Sequence, residues 1–324
     1  MTVRYYSFSV FLMCLFLSIF IIFPVSGSDP TIVSMVYVGD KGDYSYLSKA
    51  FSGLEKARDG FNLTVREILW NSSAPEDPVI DRAGNRSSMV LVMGDIMNGY
   101  EQEISQINPD VPVVMIDGPE ILDSSVKSIS FSMYGASYLA GVLAANQTTT
   151  GNVGVIAGVN APVIQSFTEG FQDGVRAEDP DVNVTISYIA DDYSGFSMPE
   201  KAGEITREMY RNNTDVIYAV SGGSGLGIIS TAQNLSGLFI IATDADQSGL
   251  ASDTVIASAV KSLDTVVYNE IEECVSGKFS PGSEALSLVD EGTSLVPNIR
   301  FENVSSLIDV RINEAIEKEK IYSD

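Results

Sequence analysis

The sequence predicts an α/β protein built of two doubly wound lobes with a ligand cleft between them. Three observations lead there. Short β-branched apolar runs alternate with amphipathic segments along the chain after its first 28 residues, each pair the length of one strand-plus-helix unit. The runs are almost continuously apolar, as strands of a parallel sheet covered on both faces must be. They are too numerous to fit comfortably in one sheet, and 324 residues suffice for two domains.

Arg4 is the single charge in the first 28 residues, and SVFLMCLFLSIFIIFPV and SGSDP follow it. That is the pattern of an export signal, yet the apolar run is also long enough to stay as a membrane anchor, and both readings stand. Cys14 lies inside the run behind bulky Leu12 and Met13, a poor match to a lipid-modified cleavage site.

IVSMVYVG is the first strand candidate and YLSKAFSGLEKARDG the first helix, followed by the strands SMVLVMG, VPVVMID and VKSISFS. In the second half the strands are NVGVIAG, VNVTISYIA, DVIYAV, LFIIATD and VIASAVK. Helix patterns NAPVIQSFTEGFQDGVRAE and PEKAGEITREMYRN lie among them, the latter opening with Pro199 at a first helical position, where a missing N–H costs nothing. No low-complexity linker separates the halves, so strands are expected to cross between lobes, with hinge points near Phe131, Lys261 and Val289. The expected division is a signal or anchor over 1–28, an N-terminal lobe of 29–131 plus 262–288, and a C-terminal lobe of 132–261 plus 289–324.

Composition removes several kinds of chemistry. The formal charge of −24 repels nucleic acid and other anions, and suits a solubility or salt adaptation. With no histidine, every imidazole general base, His-based triad and imidazole-ligated zinc site is excluded. Beyond the first segment Cys274 is the one cysteine, so no intramolecular disulfide can form there. Asn-x-Ser/Thr acceptor sequences at Asn62, Asn71, Asn85, Asn146, Asn183, Asn212, Asn234 and Asn303 suggest an extracytoplasmic, glycosylated surface.

The loop SGGSGLG, Ser221 to Gly227, looks like a phosphate cradle, but it lacks the Lys-Ser/Thr of a P-loop, and its glycines miss the Gly-x-Gly-x-x-Gly spacing. It reads instead as a strand-to-helix turn whose backbone can approach a ligand, or as a tight turn that only packs a helix. Asp117, Asp244 and Lys261 stand at ends of strand candidates, and Asp246 lies just beyond Asp244. Each alone is a solvated loop charge; together, on parallel strands, they converge on one cleft. GDYSYL places Asp43, Tyr44 and Tyr46 at the mouth of the first helix, and DDYSGFSMPEKA places Tyr193 and Phe196 before a later one. Across a cleft such rings could sandwich a planar guest, at roughly 0.5–1.5 kcal/mol per aromatic contact beyond burial.

At these residues the chain resembles the basic membrane lipoprotein family, the purine-nucleoside-receptor type of ABC-transporter substrate-binding protein. The similarity runs from about Ile32 to Phe279. It is most specific in GNVGVIAGVNAPVIQSFTEGFQDGV, in AVSGGSGLGII, and in IATDADQ followed by IASAVKSLDTVVY. The resemblance implies a type I periplasmic-binding-protein architecture, two Rossmann-like lobes that hinge shut on a ligand without catalysis, cofactor or metal. It implies a nucleoside ligand with a purine base, a membrane permease as partner, and a place on the outer face of the cell membrane.

Carried over position by position, the resemblance implies a base stacked between Tyr46, which follows Asp43 at the family's spacing, and Phe196. Asp117 would serve the base and Asp244 the ribose, with the backbone of Gly223 and Gly225 and the ammonium of Lys261 completing the grip. Two positions depart from the pattern. Tyr37 stands where many relatives carry Asp, with Asp40 as a substitute, and Leu47 stands where Asn is common. A nucleoside hydrolase using Asp40, Asp43, Asp244 and Asp246 to hold calcium or activate water, and a membrane-anchored nucleoside sensor, are the alternative expectations.

Overall fold

The computed structural model describes residues 30–70, 79–94, 104, 110–118, 120–123 and 125–323; the expected signal or anchor lies outside them. Two six-stranded sheets organise the chain. In the first, β1 (Thr31–Tyr37), β2 (Leu63–Leu69), β3 (Met89–Met93), β4 (Val113–Ile116), β5 (Val126–Phe131) and β11 (Gly282–Leu286) are ordered β11-β5-β4-β3-β1-β2. In the second, β6 (Asn152–Ala157), β7 (Asn183–Tyr188), β8 (Val216–Val220), β9 (Phe239–Asp244), β10 (Val255–Lys261) and β12 (Thr293–Pro297) are ordered β12-β10-β9-β8-β6-β7. Strand pairing is parallel throughout except for β12, which runs antiparallel to β10.

Both sheets therefore repeat one doubly wound order, in which the second strand of each half lies outside the first and the later ones build away on the other side. The central strands are buried along their whole length; β3, β4 and β8 have no exposed residue, as coverage on both faces demands. On one face of the first sheet lie α1 (Tyr46–Gly60) and α7 (Leu263–Val275), whose Leu54, Ala57 and Val267 pack on Met35, Met89 and Leu91. The opposite face carries a second cluster around Trp70, Val90 and Met115, close to α2 (Val79–Gly84).

The second sheet is covered likewise. α3 (Tyr134–Gln147), α4 (Pro162–Glu178) and α8 (Glu302–Ser323) share one cluster, and α5 (Pro199–Arg211) and α6 (Gly225–Ala232) share the other. α3 and α4 cross in close contact because Gly141, Gly170 and Gly174 each face backbone of the other helix where a Cβ would collide. The chain leaves the first sheet after Phe131, leaves the second after Lys261, and passes once more between Leu286 and Thr293.

All nine expected strands are present. The sequence did not announce β2, β11, β12, α2, α3 or α8. β2 and β11 are edge strands with exposed faces, β11 being the polar GSEAL. α3 is buried on nearly every side, so it shows no amphipathic period.

Candidate functional site

The carboxyl ends of both sheets meet around a cavity of about 470 Å³. It opens at the two places where strand order reverses, between β1 and β3 and between β6 and β8, where loops diverge and leave a crevice. Its size falls within the range of small-molecule sites.

From the first sheet, the loop after β1 leads into α1. Asp43 holds that helix start: its carboxylate accepts the backbone N–H groups of Ser45 (2.8 Å), Leu47 (3.0 Å) and Ser48 (3.0 Å). The anchored turn presents Tyr46 to the cavity, and the Tyr46 hydroxyl donates to the Ile116 carbonyl at 3.3 Å. Asp117 follows β4 directly with φ of 57°, left-handed backbone that a non-glycine residue adopts at a cost.

From the second sheet, Asp244 ends β9 in the same left-handed conformation, φ 67°. The glycine loop forms a short 3-10 turn over Gly222–Ser224 and then opens α6. Gly222, at φ 50°, and Gly223 line the cavity; Gly227 instead lets α6 press against the backbone of Pro199, which a Cβ there would strike. Phe196, from the turn Tyr193–Ser197, lines the cavity with its ring close against Gly158 and Gly222. The hydroxyl of Ser224 accepts the N–H of Met198 and donates to the Gly195 carbonyl, both at 2.7 Å, tying the aromatic turn to the glycine loop.

Lys261, at the end of β10, joins the two lobes electrostatically. Its ammonium lies 2.5 Å from Asp117 Oδ2 and 3.8 Å from Asp244 Oδ1, and all three side chains are buried. Rings surround it: Phe167 at 5.3 Å, Tyr46 at 5.4 Å and Phe131 at 5.8 Å from Nζ to centroid. Burial pushes the Asp244 carboxyl above the ordinary carboxylate range; the Lys261 ammonium pulls it back, and the charge of Asp117 adds to the rise. The Ser45 hydroxyl lies 3.0 Å from Asp244 Oδ2 and 3.1 Å from the Thr243 carbonyl, a second polar link between lobes.

Of the residues singled out in the sequence, Asp43, Tyr46, Asp117, Phe196, Gly223, Asp244 and Lys261 all line this one cavity, as do Asp40 and Leu47. Gly225 does not; it is buried at the start of α6, and Gly222 stands at the surface in its place. Tyr37 is also absent from the lining, its ring edge-on to Phe51 at 5.0 Å. Sequence reasoning missed Phe167, Ile164, Ser45 and Ser221. Phe167 and Ile164 look like ordinary apolar positions of an amphipathic helix, and only α4's placement turns them toward the cleft. Among the described residues no group of three or more acidic or cysteine side chains is placed to hold a metal ion.

Comparison with known proteins gives one consistent answer. The family model described as "ABC transporter substrate-binding protein PnrA-like", Bmp, matches residues 31–324. Basic membrane protein D of Borreliella burgdorferi is 26% identical over 285 residues, covering 86% of this chain and 82% of its own. A CD4+ T-cell-stimulating antigen of Listeria monocytogenes is 28% identical over 288 residues, covering 80% and 77%. Among solved structures, an ABC-transporter solute-binding protein from Aeropyrum pernix K1 superposes with a TM-score of 0.74 at 22% identity, covering 90% of this chain and 86% of the other, which establishes likeness of fold.

Proposed function

We propose, since this chain belongs to the Bmp family of PnrA-like ABC-transporter substrate-binding proteins, that it captures a nucleoside with a purine base and delivers it to a membrane permease. Members of this family are extracytoplasmic solute-binding proteins rather than enzymes. Among the described residues no helix is long and apolar enough to cross a membrane, so in this reading attachment to the cell surface falls to the N-terminal segment.

One observation carries the ligand assignment: Tyr46 from one lobe and Phe196 from the other line the same cavity, with Asp117, Asp244 and Lys261 at the strand ends beside them. A purine ring between the two aromatic side chains gains dispersion and stacking. The carboxylates accept hydrogen bonds from ring N–H and ribose hydroxyl groups, and Lys261 donates to an oxygen. Asp43 acts indirectly, by fixing the turn that carries Tyr46. Contacts from both lobes favour the closed arrangement, so the ligand shifts a hinge equilibrium and no bond is made or broken.

The charge pattern selects a neutral guest. Among the described residues, four carboxylates, from Asp40, Asp43, Asp117 and Asp244, line the cavity beside one ammonium and no guanidinium, so a phosphate would be repelled. Calorimetric titration with adenosine, guanosine, inosine and their monophosphates tests the reading. Nucleosides are expected to bind and monophosphates to bind far more weakly; monophosphates preferred over nucleosides would overturn it. Tyr46→Ala and Phe196→Ala should each remove most of the ligand-induced rise in Tm.

A further inference from the structure

We infer that the protein is N-glycosylated at the ends of both lobes that face away from the ligand cleft. Two independent features support this: the number of acceptor sequences and where the fold puts them.

The chain has sixteen asparagines, and eight of them open an Asn-x-Ser/Thr sequence. With Ser and Thr making up about one residue in six, random order would supply about three such sequences. Asn71 lies outside the described residues; the other seven are all exposed.

Their placement is one-sided. In a parallel α/β lobe the carboxyl ends of the strands hold the ligand and the amino ends form the opposite pole. Asn62 immediately precedes β2 and Asn85 lies just ahead of β3, both at the amino end of the first sheet. On the second sheet, Asn183 is the first residue of β7, Asn146 lies in the last turn of α3 before β6, and Asn212 and Asn234 lie in the connections that enter β8 and β9. Asn303 follows β12, whose antiparallel course brings Pro297 beside Ala257 near the start of β10. None of the seven lines the cavity. Turn preference alone explains an Asn after a helix, but it does not explain the hydroxyl residue two positions on.

The pattern fits a coat that shields the poles and leaves the mouth of the cleft clear. Asn62 and Asn183 stand at the entry to β2 and β7, the corresponding edge strands of the two sheets, whose unpaired backbone is the part most prone to pair with another chain. The reaction requires a saccharide donor activated at its anomeric carbon by a polyprenyl phosphate or pyrophosphate, presented outside the cytoplasm. Asn Nδ2 forms the bond to that carbon and loses one proton, and the carbon–oxygen bond to the phosphate breaks with the lipid phosphate as leaving group. One N–H remains on each modified amide, so Asn234 can keep its hydrogen bond to the Ser230 carbonyl.

Intact-mass and glycopeptide mass spectrometry of the protein purified from its own cells tests this, with the same chain from a host lacking N-glycosylation as reference. Repeated mass increments on peptides containing these asparagines are expected. Thr64→Ala and Thr185→Ala, which spare Asn62 and Asn183 but destroy their acceptor sequences, should each remove one increment. A native mass equal to that of the bare polypeptide overturns the proposal, as do increments that map to none of the seven positions or whose number neither substitution lowers.

Discussion

Asp117 and Asp244 occupy the same position in two separate sheets. Each follows or ends the strand two places beyond the first strand of its sheet, β4 in one and β9 in the other, and each has left-handed backbone, at φ 57° and 67°. Lys261 lies between them, 2.5 Å from one and 3.8 Å from the other. The repeat of one fold thus aims two carboxylates at each other across the cleft, and one ammonium neutralises part of their repulsion. Two like charges converging in a buried space are tolerated only with such a partner.

Replacing that partner should be costly. Lys261→Met leaves two buried carboxylates without their cation, and the expected loss is about 3–5 kcal/mol of stability at neutral pH. Urea unfolding measures it. The deficit should shrink in acid, where protonation removes the uncompensated charge; a variant as stable as the parent at pH 7 would show that the ion pair contributes nothing.

Asp244 gives a pH dependence of definite sign. Its carboxyl is raised above its unfolded value, chiefly by burial, so the folded state holds that proton more tightly than the unfolded chain. Its contribution to stability is therefore full below the unfolded pKa and is lost as pH rises through the raised one. Asp244→Asn should remove this component. Across a pH 3–8 series, the stability of the parent relative to the variant should be greatest at the acid end and fall with rising pH. A difference that grows with pH instead would mean that Lys261 outweighs burial.

Ser221 provides a test of the cleft's polarity. Ser221 is 1% exposed, lines the cavity at the end of β8, and its hydroxyl has no hydrogen-bond partner among the described residues. A buried hydroxyl in that state costs free energy until something pairs with it. Ser221→Ala should leave the Tm of the ligand-free protein unchanged or slightly higher, while nucleoside affinity falls by about tenfold, equivalent to about 1.4 kcal/mol. An unchanged affinity would take Ser221 out of the site.

Much of this is legible in the amino-acid sequence. The β-branched runs marked eight inner strands, where burial on both faces leaves an apolar signature, and the edge strand β7, whose Val184 and Ile186 pack on the core from one face; Pro199 marked the start of α5 for a local reason, its fixed φ. Charged residues at strand ends were equally legible, since parallel strands must send them to one side. Edge strands β2 and β11 were not, because half-exposed backbone tolerates polar sequence. Nor was the role of Gly225, which only the turn geometry separates from its neighbours Gly222 and Gly223.

The sequence by itself determined the α/β class, the doubling of the lobe, the exclusion of histidine chemistry and the converging set of Asp117, Asp244 and Lys261. These follow from composition and periodicity, which act along the chain. Only the tertiary structure decided that Phe167 faces the cleft, that Ser45 reaches Asp244, that the Ser221 hydroxyl has no partner among the described residues and that seven acceptor asparagines gather at the far poles. Those facts depend on which ends of two sheets meet, and residues about 200 positions apart along the chain, as Ser45 and Asp244 are, become neighbours only when the lobes pack.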